Sequence, residues 1–215
     1  MRTIKKGKEP ASLATFRSSG TAKLPPQYDD FKHKQDLRES LSAEQGAICC
    51  YCMQRIRATE DGMKIEHWEC QSKHKKKQLN YDNLLGACLG GEGQRPKNQH
   101  CDTKKGKKPL SKNPANRVHR IESTLKYLGD GTIESSDKTL NKQLKDVLNL
   151  NIEFLKRNRK STLDAFLATV GGRKGKFTKK QLTKWLQEWE ADEGGERKEY
   201  CQVVVYWLLK RIARA

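Results

Sequence analysis

No run of about 18 apolar residues occurs anywhere in the chain, which excludes a membrane-spanning helix. The opening MRTIKKGKEP carries no apolar stretch of the kind a secretory signal needs. From these two absences we expect a soluble, cytoplasmic protein without a membrane partner. Apolar side chains are sparse throughout: 34% of the 215 residues are hydrophobic and 33% are charged, enough for a modest core that extra staples would help. At about 100–200 residues per domain, this length excludes a large multidomain machine. No internal repeat period is visible.

Acidic residues are also in short supply. Lys and Arg number 44 against 26 Asp and Glu, a net charge of +18, divided as +3 over residues 1–48, +4 over 49–106 and +11 over 107–215. Such an excess points to a polyanionic partner, because Lys and Arg contacts to phosphates release condensed counterions without reading sequence. The basic runs are KHKKK (73–77), KKGKK (104–108), KRNRK (156–160) and RKGKFTKK (173–180). Lys73, Lys75, Lys76, Lys77, Lys104 and Lys105 flank the cysteine-rich segment and are the candidate nucleic-acid contacts.

What the chain does have is cysteine in an odd number, seven, with Cys49, Cys50, Cys52, Cys70 and Cys88 inside forty residues and Cys101 soon after. In a reducing cytosol this reads as thiolate ligation of zinc rather than a disulfide framework. Cys49 and Cys52 form CxxC, a spacing at which a knuckle turn aims two thiolates at one tetrahedral ion. Cys88 and Cys101 can close the site, the Gly-rich insert between them looping out. Cys50 and His100 are substitute ligands, while Cys70 and Cys201 read as ordinary half-buried thiols. A thiol redox role for Cys49 and Cys52 would need a βαβ context that the pattern lacks.

The chain divides into an irregular arm (1–35), a cysteine-rich core (36–112) and a third segment (113–215) that is mainly helical. DLRESLSAEQGA (36–47), with Leu37 and Leu41 four apart and Gly46 near its end, predicts a short helix. MQRIR (53–57) and MKIEHWE (63–69) alternate across Asp61-Gly62 and predict a hairpin, and a short helix is expected before Pro109. A second small hairpin is expected within 118–134, then helices over 137–150, 151–170, 178–191 and 196–214, with a polar loop at 171–176. The fold class is therefore α+β.

Glu66 and His67 sit side by side in an expected strand, on opposite faces unless a bulge turns them together. Asn83 and Asp102 follow. A histidine beside a hard metal ion can take a proton from water, and the carboxylates of Glu66 and Asp102 are the oxygen donors that Mg²⁺ prefers.

The order CxxC (49–52), IEHW (65–68), NLLGAC (83–88) and HCDTKKG (100–106) resembles the zinc-stapled HNH endonucleases, whose core is the ββα-metal fold. MRTIKKGKEP, LSAEQGAICCYCMQRI and LNLN (148–151) are similar to one HNH subfamily, the PtuB nucleases of Septu and retron-linked antiphage systems. The resemblance implies His67 as general base, Glu66 as acidic first metal ligand and Asn83 as the brace of the loop that orients the histidine. It implies Asp102 as second metal ligand, where the family commonly has His or Asn, and Lys105 as a phosphate contact. The cofactors implied are a structural Zn²⁺ at Cys49, Cys52, Cys88 and Cys101 and a catalytic Mg²⁺ or Mn²⁺ at Glu66 and Asp102. The implied partners are DNA, a PtuA-type ATPase and, in retron versions, a reverse transcriptase with its RNA–DNA product. The arm and the helical segment are the expected docking surfaces. An RNA or tRNA substrate, or a zinc-stabilised binding subunit that no longer cuts, are the alternatives.

Overall fold

The structure, a computed structural model, describes residues 1–21, 23–172 and 176–215; Arg173, Lys174 and Gly175 of the expected polar loop and basic run lie outside these. The described residues form an α+β fold of eight α-helices and two two-stranded antiparallel sheets. No helix among them is long and apolar enough to cross a membrane.

The arm is not irregular. It contains α1 (Ala11–Ser18) and buries Met1, Ile4, Leu13, Tyr28 and Phe31. Ile4 N–H donates to Pro114 O at 2.9 Å, and the Arg17 guanidinium donates to Leu79 O at 3.1 Å. These apolar side chains are too widely spaced to show a period, yet all of them join the one hydrophobic cluster of the protein. α2 (Lys34–Gln45) buries Leu37 and Leu41 and stops at Gly46, whose φ of 65° is the left-handed cap glycine adopts without a Cβ penalty.

The first hairpin differs from the expected one. β1 (Lys64–His67) pairs not with 53–57 but with β2 (Leu84–Ala87), in the register Ile65↔Gly86 and His67↔Leu84. Residues 53–57 are taken by their own neighbours: Ile48 bridges Arg55, Cys49 N–H donates to Gln54 O at 2.8 Å, and Ile56 N–H donates to Ala47 O at 2.9 Å. The CxxC segment is thus a closed knuckle. β2 is buried along its whole length, so its LLGA run shows no alternation.

A third strand is replaced by one side chain. Gln45, at the end of α2 and buried, accepts from Gly86 N–H at 2.7 Å and donates to Gly86 O at 2.8 Å and Ile48 O at 2.9 Å. A Cβ at Gly86 would lie 2.8 Å from Met63 Cε and 3.1 Å from Gln45 Nε2, so a side chain there would push both of these side-chain ends aside.

After β2 the chain runs through an insert to α3 (Cys101–Lys105), α4 (Ile121–Thr124) and the expected second hairpin, β3 (Leu125–Tyr127) with β4 (Ile133–Ser135). Four helices follow: α5 (Lys138–Asp146), α6 (Glu153–Thr169), α7 (Lys179–Glu190) and α8 (Cys201–Ile212). Asp137 caps α5 through Leu140 N–H, and Thr178 with Gln181 forms a capping box on α7. One hydrophobic cluster runs from Met1 through Leu41, Leu84 and Leu144 to Val204, so all three sequence segments share a core. Tyr200 N–H donates to Met53 O at 3.0 Å and Cys101 N–H to Leu148 O at 2.9 Å, tying the helical part onto the cysteine segment.

Candidate functional site

Four cysteines converge. Cys49 and Cys52 come from the knuckle, Cys88 follows β2, and Cys101 opens α3; all four are buried, and their Sγ atoms lie within 4.8 Å of one another. The Cys49–Cys101 and Cys52–Cys88 sulfur separations are 3.9 and 3.7 Å. A tetrahedron with metal–sulfur arms of about 2.3 Å has edges of about 3.8 Å, so the geometry fits a structural metal such as zinc. Met53 (φ 67°) and Cys101 (φ 53°) are held in the left-handed region, a strain that side chains other than glycine rarely bear.

The other three thiols are not members of this group of four. Cys50 is buried beside it, Cys201 accepts from the Arg2 guanidinium at 3.8 Å, and Cys70 lies 3.9 Å from Lys107 O. His100 Nε2 is 3.7 Å from Cys88 Sγ, at the edge of the cluster rather than within it. The insert between Cys88 and Cys101 is closed at its neck by His100 N–H donating to Gly90 O at 2.9 Å. Gly90, at φ 59°, must be glycine, since a Cβ would sit 2.3 Å from His100 O.

The two ligand-bearing segments also build an acidic site. Glu66 on β1 is 2% exposed, and its Oε1 accepts from Tyr51 Oη at 2.7 Å. Tyr51 lies inside the knuckle, between Cys50 and Cys52. The Lys105 ammonium is 2.7 Å from the same oxygen and donates to His67 O at 3.1 Å. Asp102, next to Cys101, neighbours the Glu66 carboxyl closely enough to act on its charge and lies 3.9 Å from Lys64 Nζ. Burial, then the neighbouring Asp102, pushes the Glu66 carboxyl well above the usual carboxylate range, and Lys105 opposes this.

His67 is 8% exposed and packs edge-on against Tyr28, with ring centroids 4.4 Å apart at 89°. Its Nε2 lies 3.0 Å from Gln78 O. A carbonyl only accepts, so Nε2 carries the hydrogen and Nδ1 presents a free lone pair. Burial lowers the pKa of His67 below the ordinary histidine value, and the Gln78 carbonyl pulls the other way. Glu66 engages the knuckle and α3, while His67 packs on Tyr28 of the arm and on the Gln78 carbonyl and stays within electrostatic reach of Asp102 and Lys105 on α3.

Asn83 is buried, and its side-chain hydrogen bonds go to Glu69 and Lys77 rather than to His67. Its Oδ1 accepts from Glu69 N–H at 2.8 Å, and its Nδ2 donates to Glu69 O at 3.1 Å and Lys77 O at 3.2 Å, closing the loop that carries the basic run. Within that loop Lys75 and Lys76 are exposed beside a cavity of about 1010 Å³ that Arg17, Pro25 and Gln27 also line. Lys73 borders a groove of about 310 Å³ with Trp68 and Cys70, Lys77 pairs with Glu69, and Lys104 donates to Pro96 O at 2.9 Å.

Lys105 departs from its expected surface role. It is 1% exposed and bound to Glu66, so it does not offer its ammonium to a phosphate. Cys101 and Lys105 are four apart on α3, and the helix face that buries the thiol buries the lysine too. Sequence reasoning passed over Tyr51, Gln78 and Tyr28; of these only Tyr51, set among the knuckle cysteines, carried a positional signal.

No protein-family model matches the chain, and no curated protein matches it.

Proposed function

We propose that this chain is a metal-dependent HNH endonuclease that hydrolyses nucleic-acid phosphodiesters, with DNA favoured. On this reading β1, β2 and α3 form the ββα-metal core, stapled by zinc at the four cysteines. The observation that carries the proposal is His67: a buried, neutral imidazole with Nδ1 free, on the strand that also bears Glu66, opposite Asp102.

When bound, Mg²⁺ or Mn²⁺ supplies a Lewis acid to the scissile phosphate and its leaving oxygen. The oxygen set fits such an ion, because Glu66 Oε2 and the Asp102 carboxylate are hard donors and Mg²⁺ is commonly held by one or two carboxylates plus substrate oxygens. His67 takes the proton of the attacking water at Nδ1, while Gln78 O fixes the ring through Nε2 and Tyr28 fixes its plane. General-base assistance of this kind contributes about 10²–10⁴-fold. Tyr51 and Lys105 hold Glu66, Asn83 closes the loop beyond it, and the exposed Lys73, Lys75 and Lys76 with the half-buried Lys104 supply backbone contacts in a chain of charge +18. The resemblance to the PtuB nucleases extends the proposal to an effector of antiphage defence held in check by a PtuA-type ATPase.

The test compares wild-type and His67→Ala protein, with and without that ATPase, on plasmid DNA and total tRNA in Mg²⁺ or Mn²⁺. Cleavage lost in the variant supports the nuclease and names its substrate, DNA or RNA. Equal cleavage by both proteins, at unchanged zinc content, overturns the role of His67. A second reading, a zinc-stabilised nucleic-acid-binding subunit that does not cut, is favoured by the Lys105 ammonium already seated on Glu66. It predicts salt-sensitive binding with no metal-dependent cleavage under any of these conditions.

A further inference from the structure

The Lys105–Glu66 contact raises a question that the nuclease reading leaves open: why a site for a divalent cation should contain a buried ammonium. Both acceptor directions of Glu66 Oε1 are used, one by Tyr51 Oη and one by Lys105 Nζ, each at 2.7 Å. Only Oε2 is left to an incoming ion. Lys105 is 1% exposed and anchored a second time to His67 O at 3.1 Å, so it is a fixed part of the site. On the other side Lys64 Nζ stands 3.9 Å from Asp102 Oδ2. Lys64 is shared with Glu92, whose Oε1 lies 2.9 Å from the same Nζ, so the fixed, buried cation of the site is Lys105. Among the described residues no further His, Cys, Asp or Glu joins the two carboxylates to make a larger ligand group, and the four cysteines are the one such group present.

A doubly charged ion entering this site meets two carboxylates whose field is offset by ammonium groups, in surroundings where charges are poorly screened. A phosphodiester brings what is missing, a negative charge and unesterified oxygens able to complete a hard cation's shell. We propose that Lys105 is a resident cation that makes divalent-ion binding depend on a bound phosphodiester: the free protein holds the ion weakly, and nucleic acid tightens it. Lys105 is a positioning residue in this scheme, acting through Glu66. Linkage makes the coupling mutual, so the ion tightens nucleic acid by the same factor.

The inference rests on the nuclease reading of Glu66 and Asp102, and the experiment separates the two. Binding of Mn²⁺ is followed by electron paramagnetic resonance of the free ion, in zinc-loaded His67→Ala protein so that nothing is cut. It is measured without nucleic acid and with a saturating single-stranded DNA or RNA oligomer. Binding of the oligomer itself is followed by fluorescence anisotropy. We expect the oligomer to tighten Mn²⁺ about tenfold or more, within the usual range of coupling between two sites. Adding Lys105→Met should tighten Mn²⁺ in the absence of oligomer and shrink the coupling to less than about threefold, whereas Lys105→Arg should keep it. Equal Mn²⁺ affinity with and without oligomer overturns the inference while leaving the ion site standing. No Mn²⁺ binding in any protein, or no oligomer binding, overturns the nuclease reading beneath it. Should Lys105→Met fail to fold, as judged by circular dichroism and zinc content, the comparison with and without oligomer in the Lys105-containing protein decides alone.

Discussion

Replacing Gln45 with methionine removes the polar edge of the first sheet while keeping the volume of the side chain. Three hydrogen bonds disappear, from Gly86 N–H at 2.7 Å and to Gly86 O and Ile48 O at 2.8 and 2.9 Å. Gly86 O keeps Cys50 N–H at 3.0 Å, so the groups left without a partner are Ile48 O and Gly86 N–H, the latter in a strand buried from end to end. Lost bonds of this kind cost about 1 kcal/mol each, and an unpaired buried N–H adds about 1–3 kcal/mol. The thioether recovers part of that through apolar contact, leaving an expected destabilisation of about 3 kcal/mol. For a chain of this size that lowers Tm by about 6–12 °C. Urea unfolding followed by circular dichroism, with zinc bound in both proteins, measures the difference, and thermal scans check it. A Gln45→Met protein within about 0.5 kcal/mol of wild type would show that Gly86 is not held by this side chain, and the account of a two-stranded sheet completed by a glutamine would be wrong.

Tyr51→Phe removes one O–H from the Glu66 carboxylate without changing the knuckle; a hydrogen bond to a charged group is worth about 1.5–3 kcal/mol, so metal-dependent cleavage should fall about 10- to 100-fold with zinc content unchanged, and an unaltered rate would detach Tyr51 from the site. Removing zinc with a chelator under reducing conditions should abolish the cooperative transition seen by circular dichroism, since zinc ligation is worth about 10–16 kcal/mol to small zinc-dependent folds; a transition that survives complete zinc removal argues against a structural metal at the four cysteines. The lowered pKa of His67 means that the unfolded chain takes up a proton as pH falls through about 6.5 while the folded one still excludes it. The His67 share of stability should therefore decline below about pH 6.5, and the acid limb of the cleavage profile should lie below that value; a limb above it contradicts a buried neutral base.

The parts of the fold that could be read from the sequence are those where one periodicity or one spacing suffices. α5 to α8 follow their apolar repeats, α2 ends at the glycine that stops it, and CxxC with Cys88 and Cys101 names the four thiols that come together. Strand pairing was not legible in the same way. The MQRIR segment alternates as a strand should, but the knuckle consumes its backbone hydrogen bonds, and β2, buried on both sides, has no alternation to read. The arm escaped because its buried side chains follow no period: the Met1 amino group meets Tyr127 and Tyr28 packs on His67, far along the chain, while Phe31 packs within the arm on Phe16. Lys105 was misread because a lysine in KKGKK looks like surface; its distance of four residues from Cys101 was the available clue, and it needed the direction of α3 to be interpreted.

The neck of the insert between Cys88 and Cys101 bears on what the molecule can tolerate. Gly90 and His100 are joined by a backbone hydrogen bond just inside the two thiols, and residues 92–98 protrude beyond it, exposed in every case. Glu92, Pro96 O and Lys97 O are tied to Lys64, Lys104 and Asn149, so it is the tip between them, residues 93–95, that can change length or composition without transmitting the change to what lies behind the pinch. It is the natural place in this chain to graft a fluorophore or an epitope, and the place where related chains would be free to drift apart.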